Sequence, residues 1–167
     1  MERVVILGSG GAGKSTLARR LGDTLGLPVI HLDREHWRRG WIETPRDEWD
    51  ERVNELAAGD RWVIDGNYGG TMESRLRACD TAIFLDLPRS LCLWRVARRW
   101  RRYRGRTRPD MTPGCNERLD WTFMWWIWNY PRLHRPRVMQ HLGTLGAGQR
   151  VVHLRSRREV GQFIATL

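Results

Sequence analysis

Eight residues near the start of the chain, Gly8-Ser9-Gly10-Gly11-Ala12-Gly13-Lys14-Ser15, have the spacing G-x-x-x-x-G-K-[ST], with Thr16 next. Glycines in such a run let successive backbone N–H groups turn inward around an anion. A helix starting there adds the partial positive charge of its N-terminus. The lysine is placed to reach the outer oxygens of a polyphosphate, and the serine hydroxyl to ligate a divalent cation. Gly8, Gly10, Gly11, Ala12, Gly13, Lys14, Ser15 and Thr16 are therefore the expected contacts of ATP or a close relative, and Mg2+ is the expected metal. Of 29 basic residues Lys14 is the only lysine. A compact ammonium meets phosphate as a point charge, which a forked guanidinium does not.

Three aspartates follow apolar runs: Asp33 after Val29-Ile30-His31-Leu32, Asp65 after Trp62-Val63-Ile64, and Asp86 after Ile83-Phe84-Leu85. In an open parallel sheet ligands sit beyond the carboxyl ends of the strands, so carboxylates there can face a bound phosphate. Asp65 has the form of a Walker B carboxylate and is expected to join Ser15 in holding Mg2+. Asp33 is the candidate to orient or deprotonate an acceptor hydroxyl. Asp86, two residues before Pro88, reads as a structural turn.

Between Arg89 and Arg118 ten arginines face two acids, Asp110 and Glu117. Arg95, Arg98, Arg99 and Arg102 recur at helical spacing, and Arg104, Arg106 and Arg108 follow on a stretch broken by Gly105 and Pro109. Such a segment can act as a lid, with the insertion proper at about 99–118, that excludes water and stabilises transferring charge. Most of these arginines read as a solvated basic face. Nucleic-acid binding is a further reading, because Trp94, Trp100 and Tyr103 interleave with them, but no recognition motif supports it.

These groups need elements to hold them. Residues 3–7 read as a buried strand, Lys14 to Leu25 as a helix stopped by Gly26, and residues 27–33 as a second strand. A helix is expected over 47–58, a strand over 61–66, a strand over 81–87 and a helix over 90–103. Residues 117–129 read as a helix ending before Pro131, 137–142 as a short helix and 150–154 as the fifth strand. Ser156-Arg157-Arg158-Glu159 is a capping box opening the last helix. Strands alternating with helices predict an α/β domain spanning 1–167, with a five-stranded parallel sheet covered on both faces. Trp121, Trp125 and Trp128 form an i, i+4, i+7 stripe expected to pack in the core, or else to line the acceptor pocket or a dimer contact.

Composition bounds the class. The chain has 167 residues and a formal charge of +10. No run approaches the about 18 apolar residues of a membrane helix, and the start lacks the form of a signal peptide. Cys79, Cys92 and Cys115 are odd in number and unpaired by spacing, so a reducing cytoplasm is expected.

Several further motifs carry a resemblance: His31-Leu32-Asp33 with Trp37 and Gly40-Trp41; Trp62-Val63-Ile64-Asp65-Gly66-Asn67-Tyr68; Arg75; Phe84-Leu85-Asp86-Leu87-Pro88-Arg89; Tyr103-Arg104-Gly105-Arg106-Thr107-Arg108-Pro109-Asp110-Met111; and Trp126-Ile127-Trp128-Asn129-Tyr130-Pro131. With the phosphate loop, they make the chain resemble the DNA topology modulation protein family, a branch of P-loop kinases related to adenylate kinase. By that resemblance Arg95 corresponds to an arginine flanking the adenine, and Arg99 to a catalytic lid arginine on phosphate. Asp65-Gly66 matches the start of the D-G-F-P-R motif, from which Asn67-Tyr68-Gly69 departs. Asp33, Asn67 and Arg75 are then the expected acceptor contacts. The resemblance implies transfer of the γ-phosphoryl of Mg·ATP to a small acceptor, a nucleoside monophosphate or a hydroxylated metabolite. The alternative is a nucleotide-dependent DNA-binding regulator of topology.

Overall fold

The computed structural model describes residues 1–167. Five short strands, β1 (Arg3–Gly8), β2 (Val29–His31), β5 (Trp62–Asp65), β6 (Thr81–Leu85) and β7 (Arg150–Leu154), form one parallel sheet in the order β2-β5-β1-β6-β7. Their Val and Ile residues suit a pleated surface buried on both faces. Alternation along β1 sorts that burial. Val4 and Ile6 join one apolar cluster with Leu17, Leu21, Cys92, Ile127 and Phe163, while Val5 and Leu7 join another with Trp49, Val53, Trp62, Leu76 and Tyr130. The first cluster is covered by α1 (Lys14–Leu25), α5 (Arg89–Tyr103), α6 (Trp121–Leu133) and α8 (Arg157–Ala165). The second is covered by α3 (Arg46–Ala57), α4 (Met72–Ala78) and α7 (Arg135–Gly143).

The helix ends follow their sequence signals. Gly26 ends α1 in the left-handed conformation at φ 62, its N–H bonded to Gly22 O. Ser156 Oγ accepts from Glu159 N at 3.2 Å, and the Glu159 carboxylate reaches one residue past the cap, to Arg155 N at 2.8 Å. The box closes, shifted by one position.

Three expectations are corrected. Residues 32–36 do not extend β2 but form a short helix, α2 (Leu32–His36), so Asp33 sits in a first helical turn rather than at a strand end. Leu32 is fully buried there, so close beneath Gly66 that a Cβ on Gly66 would lie 2.8 Å from the Leu32 Cβ. Helix α6 starts at Trp121, capped by Asp120 Oδ1 accepting from Phe123 N, and runs through Pro131 to Leu133. Its buried face is Phe123, Trp126, Ile127 and Tyr130; the stripe Trp121, Trp125 and Trp128 points outward at 75%, 60% and 49% exposure. The stripe is thus not core. Arg89 stacks on Trp128 with its guanidinium 3.8 Å from the ring centroid, giving the exposed indole a polar cover.

Besides α4, two features were not read from the sequence. A hairpin of β3 (Trp37–Arg38) and β4 (Ile42–Glu43) follows α2, with Trp41 at φ 64 in its turn. Between β5 and α4 a single 3-10 turn, Gly69–Thr71, follows Tyr68 at φ 32 and ψ 77. No helix is long and apolar enough to cross a membrane.

Candidate active site

The phosphate loop runs from the end of β1 into α1, and its glycines are dictated by what lies behind them. A Cβ on Gly10 would fall 2.4 Å from Phe123 Cζ. One on Gly11, at φ +77, would fall 2.3 Å from the Cys92 carbonyl oxygen. The loop is thus clasped by α5 and α6, with residues 10–16 lining a cleft of about 1190 Å³. Gly8 lies beneath, its N–H donating to Asn67 Oδ1 at 3.0 Å, and does not line the cleft. Lys14 folds over the loop and donates to Gly8 O at 2.9 Å and Ser9 O at 3.1 Å. Desolvation lowers the Lys14 pKa below its ordinary value, opposed by the charges of Asp33 and Asp65. An ammonium so enclosed favours the arrival of a polyphosphate.

At the end of β5, Asp65 is nearly buried and holds two partners. Ser15 Oγ donates to its Oδ2 at 2.8 Å, and His31 Nδ1 lies 2.5 Å from its Oδ1. Residues Ser15 and Asp65, expected at a metal, are therefore in hydrogen-bond contact at the loop's edge. A hydroxyl and a carboxylate are hard oxygen ligands of the type Mg2+ takes, and they fit an ion that arrives with a nucleotide and keeps most of its waters.

Asp33 faces the same cleft from α2. Tyr68 Oη donates to Asp33 Oδ1 at 2.9 Å, and Arg108 Nη2 lies 3.6 Å from Oδ2. Tyr68 packs against His36 and Trp49 with ring centroids 4.7 and 4.8 Å away. Burial and the Asp33 charge push its phenol well above the usual range, so it stays a donor.

The segment 104–120 between α5 and α6 folds back over the cleft and docks on α2 and the β3–β4 hairpin. Thr112 Oγ1 donates to Arg34 O at 2.7 Å, and Trp41 Nε1 donates to Asn116 O at 3.0 Å. Beneath it runs a line of ion pairs: Arg99 Nε to Glu117 Oε1 at 2.7 Å, Glu117 Oε2 to Arg108 Nε at 3.2 Å, and Arg108 onward to Asp110 at 3.5 Å. Burial, then the nearby Arg108, holds the Arg99 pKa below the usual guanidinium value. Burial raises the Asp110 pKa, but Arg108, the Ser15 hydroxyl and His31 outweigh it and leave the carboxyl below its ordinary value. Arg95 is bound to the phosphate loop itself, Nη1 donating to Ala12 O at 2.8 Å.

The cleft thus brings together Gly10, Gly11, Ala12, Gly13, Lys14, Ser15, Thr16, Asp33, Asp65, Asn67, Arg95 and Arg99. Arg75 is not among them. It is fully buried on α4, and its guanidinium donates to the carbonyls of Gly66, Asn67, Tyr68 and Thr71. Desolvation lowers its pKa to about 10, still well above neutrality. Arg75 shapes the loop that carries Asn67 and Tyr68 instead of meeting an acceptor. Asp86 is structural as well, holding Arg135 Nε and His153 Nε2 at 2.8 Å each. Tyr68, Arg108, Asp110 and Glu117 were not singled out as site residues in the sequence reading. Only the folding-back of the 104–120 segment brings the last three to Asp33 and Arg99.

No protein-family model and no curated protein matches the chain. Among solved structures it is similar to shikimate kinase from Acinetobacter baumannii in complex with shikimate (TM-score 0.64, 16% identity, covering 99% of this chain and 90% of that one). It is similar to shikimate kinase from Bacteroides thetaiotaomicron (TM-score 0.59, 19% identity, 99% and 95%). It is also similar to a gluconokinase from Sinorhizobium meliloti (TM-score 0.51, 16% identity, 99% and 92%). No family model supports the narrower resemblance to DNA topology modulation proteins. At these identities the likeness is one of fold, and the chain has the P-loop kinase fold: a five-stranded parallel sheet, flanked by helices, with a glycine loop after its first strand.

Proposed function

We propose that the chain is an ATP-dependent small-molecule kinase. The observation that carries this reading is that Asp33 and the phosphate loop line one cleft, under a segment that can exclude water. Shielding from water separates a kinase from a hydrolase, because otherwise the phosphoryl group is lost to solvent. A bound Mg2+ would neutralise charge on the β- and γ-phosphates, and Ser15 and Asp65 are the residues to hold it. The main-chain amides of residues 10–14 cradle the phosphates, and Lys14 exchanges its two carbonyl partners for phosphate oxygens. Asp33, oriented by Tyr68, accepts the proton of the acceptor hydroxyl as its oxygen bonds to the γ-phosphorus. The bond from that phosphorus to the bridging oxygen breaks, and ADP leaves. Arg99 from α5 and Arg108 from the closed segment stabilise the charge in flight. Asn67 borders the acceptor. Arg95 lies beside the loop, on the way to the base.

The acceptor is read here only as a small molecule with a transferable-to oxygen, as in a nucleoside monophosphate or a hydroxylated metabolite. The basic surface alone does not raise the DNA-binding reading to a rival; such binding would fall steeply with ionic strength. Incubation with Mg·ATP and a panel of nucleotides, sugars and polyols, followed by mass spectrometry, tests the proposal. A new phosphorylated mass supports it. ADP and phosphate alone, across the panel, count against it.

A further inference from the structure

Helices α5 and α6 lie side by side on one face of the sheet, Arg89 at the start of α5 donating to Trp128 O near the end of α6. Their inner sides enter one apolar cluster, through Cys92 and Val96 on α5 and Ile127 on α6. Their outer sides carry two stripes of the same i, i+4, i+7 spacing. On α6 the stripe is Trp121, Trp125 and Trp128, continued by the exposed Arg132. On α5 it is Trp94, Arg98 and Arg101, all exposed, with Arg98 also bordering the cleft. Trp94 is 55% exposed, so four indoles stand in solvent on adjacent helices. Soluble proteins seldom leave so large an apolar face bare unless something docks there.

Charge narrows what that is. Neither α5 nor α6 contains an Asp or Glu. Asp120, just before α6, is engaged in capping Phe123 N and lies 3.7 Å from Arg118. Guanidinium groups stand among the indoles instead, Arg89 at 3.8 Å from the Trp128 ring centroid and Arg98 at 5.4 Å from that of Trp94. A second copy presenting the same face would set arginine against arginine with no carboxylate between them, which is repulsive. A single-stranded nucleic acid would stack its bases on bare ring faces, and two of the four indoles already carry a guanidinium. A bilayer with anionic headgroups suits both residue types. Indoles settle where headgroup meets hydrocarbon, and arginines beside them meet lipid phosphate.

We propose that the outer face of α5 and α6 docks the protein on the surface of a membrane containing anionic phospholipid. Trp121 and Trp125, at 75% and 60% exposure the barest of the four, enter the interface, while Arg89, Arg98, Arg101 and Arg132 meet the headgroups. Both helices lie along the surface, so no helix long enough to cross is required. Docking of this kind is independent of whether the cleft transfers phosphate.

Co-sedimentation of the full chain with vesicles tests it, using phosphatidylcholine alone and a mixture of about four parts phosphatidylcholine to one of phosphatidylserine. Partition onto the anionic vesicles should exceed that onto the neutral ones by at least about tenfold, and fall as salt rises. Tryptophan emission should shift to shorter wavelength on binding and be quenched by brominated acyl chains. Trp121→Ala with Trp125→Ala should lower partition about tenfold and remove most of the quenching. The melting temperature of that variant should stay that of the parent, since both side chains are exposed. Arg101→Gln with Arg132→Gln should weaken binding to anionic vesicles several-fold, by about the loss of two surface charges. Absence of binding, or equal binding to both vesicle types, overturns the proposal. So does anionic binding untouched by the tryptophan substitutions, which marks adsorption by net charge alone. A dimer in sedimentation velocity, or binding of a single-stranded oligonucleotide, that is lost in the tryptophan variant gives the face to another occupant and overturns it as well.

Discussion

The hydroxyl of Tyr68 donates to Asp33 at 2.9 Å from a residue whose own backbone, at φ 32 and ψ 77, lies in the left-handed region. A bulky side chain in that conformation stores about 1–3 kcal/mol, and it persists only where its surroundings over-determine it. Here the surroundings are Arg75, bonded to the carbonyls of residues 66–68, and the rings of His36 and Trp49.

Tyr68→Phe keeps the ring packing and removes only the donor. Turnover should fall roughly tenfold, the scale of one hydrogen bond to a charged group, with KM for ATP little changed. Chemical denaturation should show a loss of no more than about 1 kcal/mol. Full activity in this variant would mean that Asp33 needs no orienting partner.

Arg75→Ala tests whether that guanidinium is architectural. Four carbonyls lose their donor inside the protein, so unfolding free energy should drop by at least about 3 kcal/mol. Any loss of acceptor affinity should be accompanied by that drop. A variant of unchanged stability with a raised acceptor KM would place Arg75 against substrate after all.

Lys14→Ala should abolish the rise in melting temperature that Mg·ATP gives the parent protein, because the loop then lacks its only mobile ammonium. Lys14→Arg should not restore it, since a planar fork cannot take the place of a compact charge between two carbonyls. An unchanged thermal shift in either variant would put the nucleotide elsewhere.

A pH dependence follows from Asp80, away from the cleft. Burial raises its pKa, yet donation from Thr81, Arg3 and Glu2 outweighs burial and holds the carboxyl below its ordinary value. A carboxylate depressed in the folded state stabilises above its unfolded pKa, and that contribution is lost as pH falls through the folded pKa. In urea titrations Asp80→Asn should therefore be less stable than the parent protein at pH 7. The gap should close below about pH 4. A gap that persists undiminished at pH 2 would assign the effect to geometry, not charge.

How much of this was legible in the sequence depended on the range over which each feature is specified. The glycine octet, its flanking strand and the Gly26 stop are local, and they appear where spacing places them. The sheet was legible because its strands are apolar runs bounded by turn residues. Asp33 was placed correctly in the cleft but on the wrong element, since Leu32 turns inward under Gly66, a contact 34 residues away in the chain. The tryptophan stripe misled for a related reason: helical periodicity identifies two apolar faces on α6, and only packing against α5 decides which one is covered. By spacing alone Arg99 and Arg108 are two members of a charge run, and only the family resemblance singled out Arg99. Their pairing with Glu117, Asp110 and Asp33 exists only once the 104–120 segment has folded back, so no pattern in the run singles them out.

The tight seating of Gly10 against Phe123 and of Gly11 against Cys92 has a consequence for how this protein can diverge. A methyl group at Gly11 would meet the α5 backbone and one at Gly10 the Phe123 ring, so the polyphosphate cradle is held in shape by its scaffold. Selection for a new nucleotide or a new acceptor must therefore act at the rim, through α8 on one flank and the hairpin on the other. The loop itself is the part of the machine that evolution has least room to rewrite.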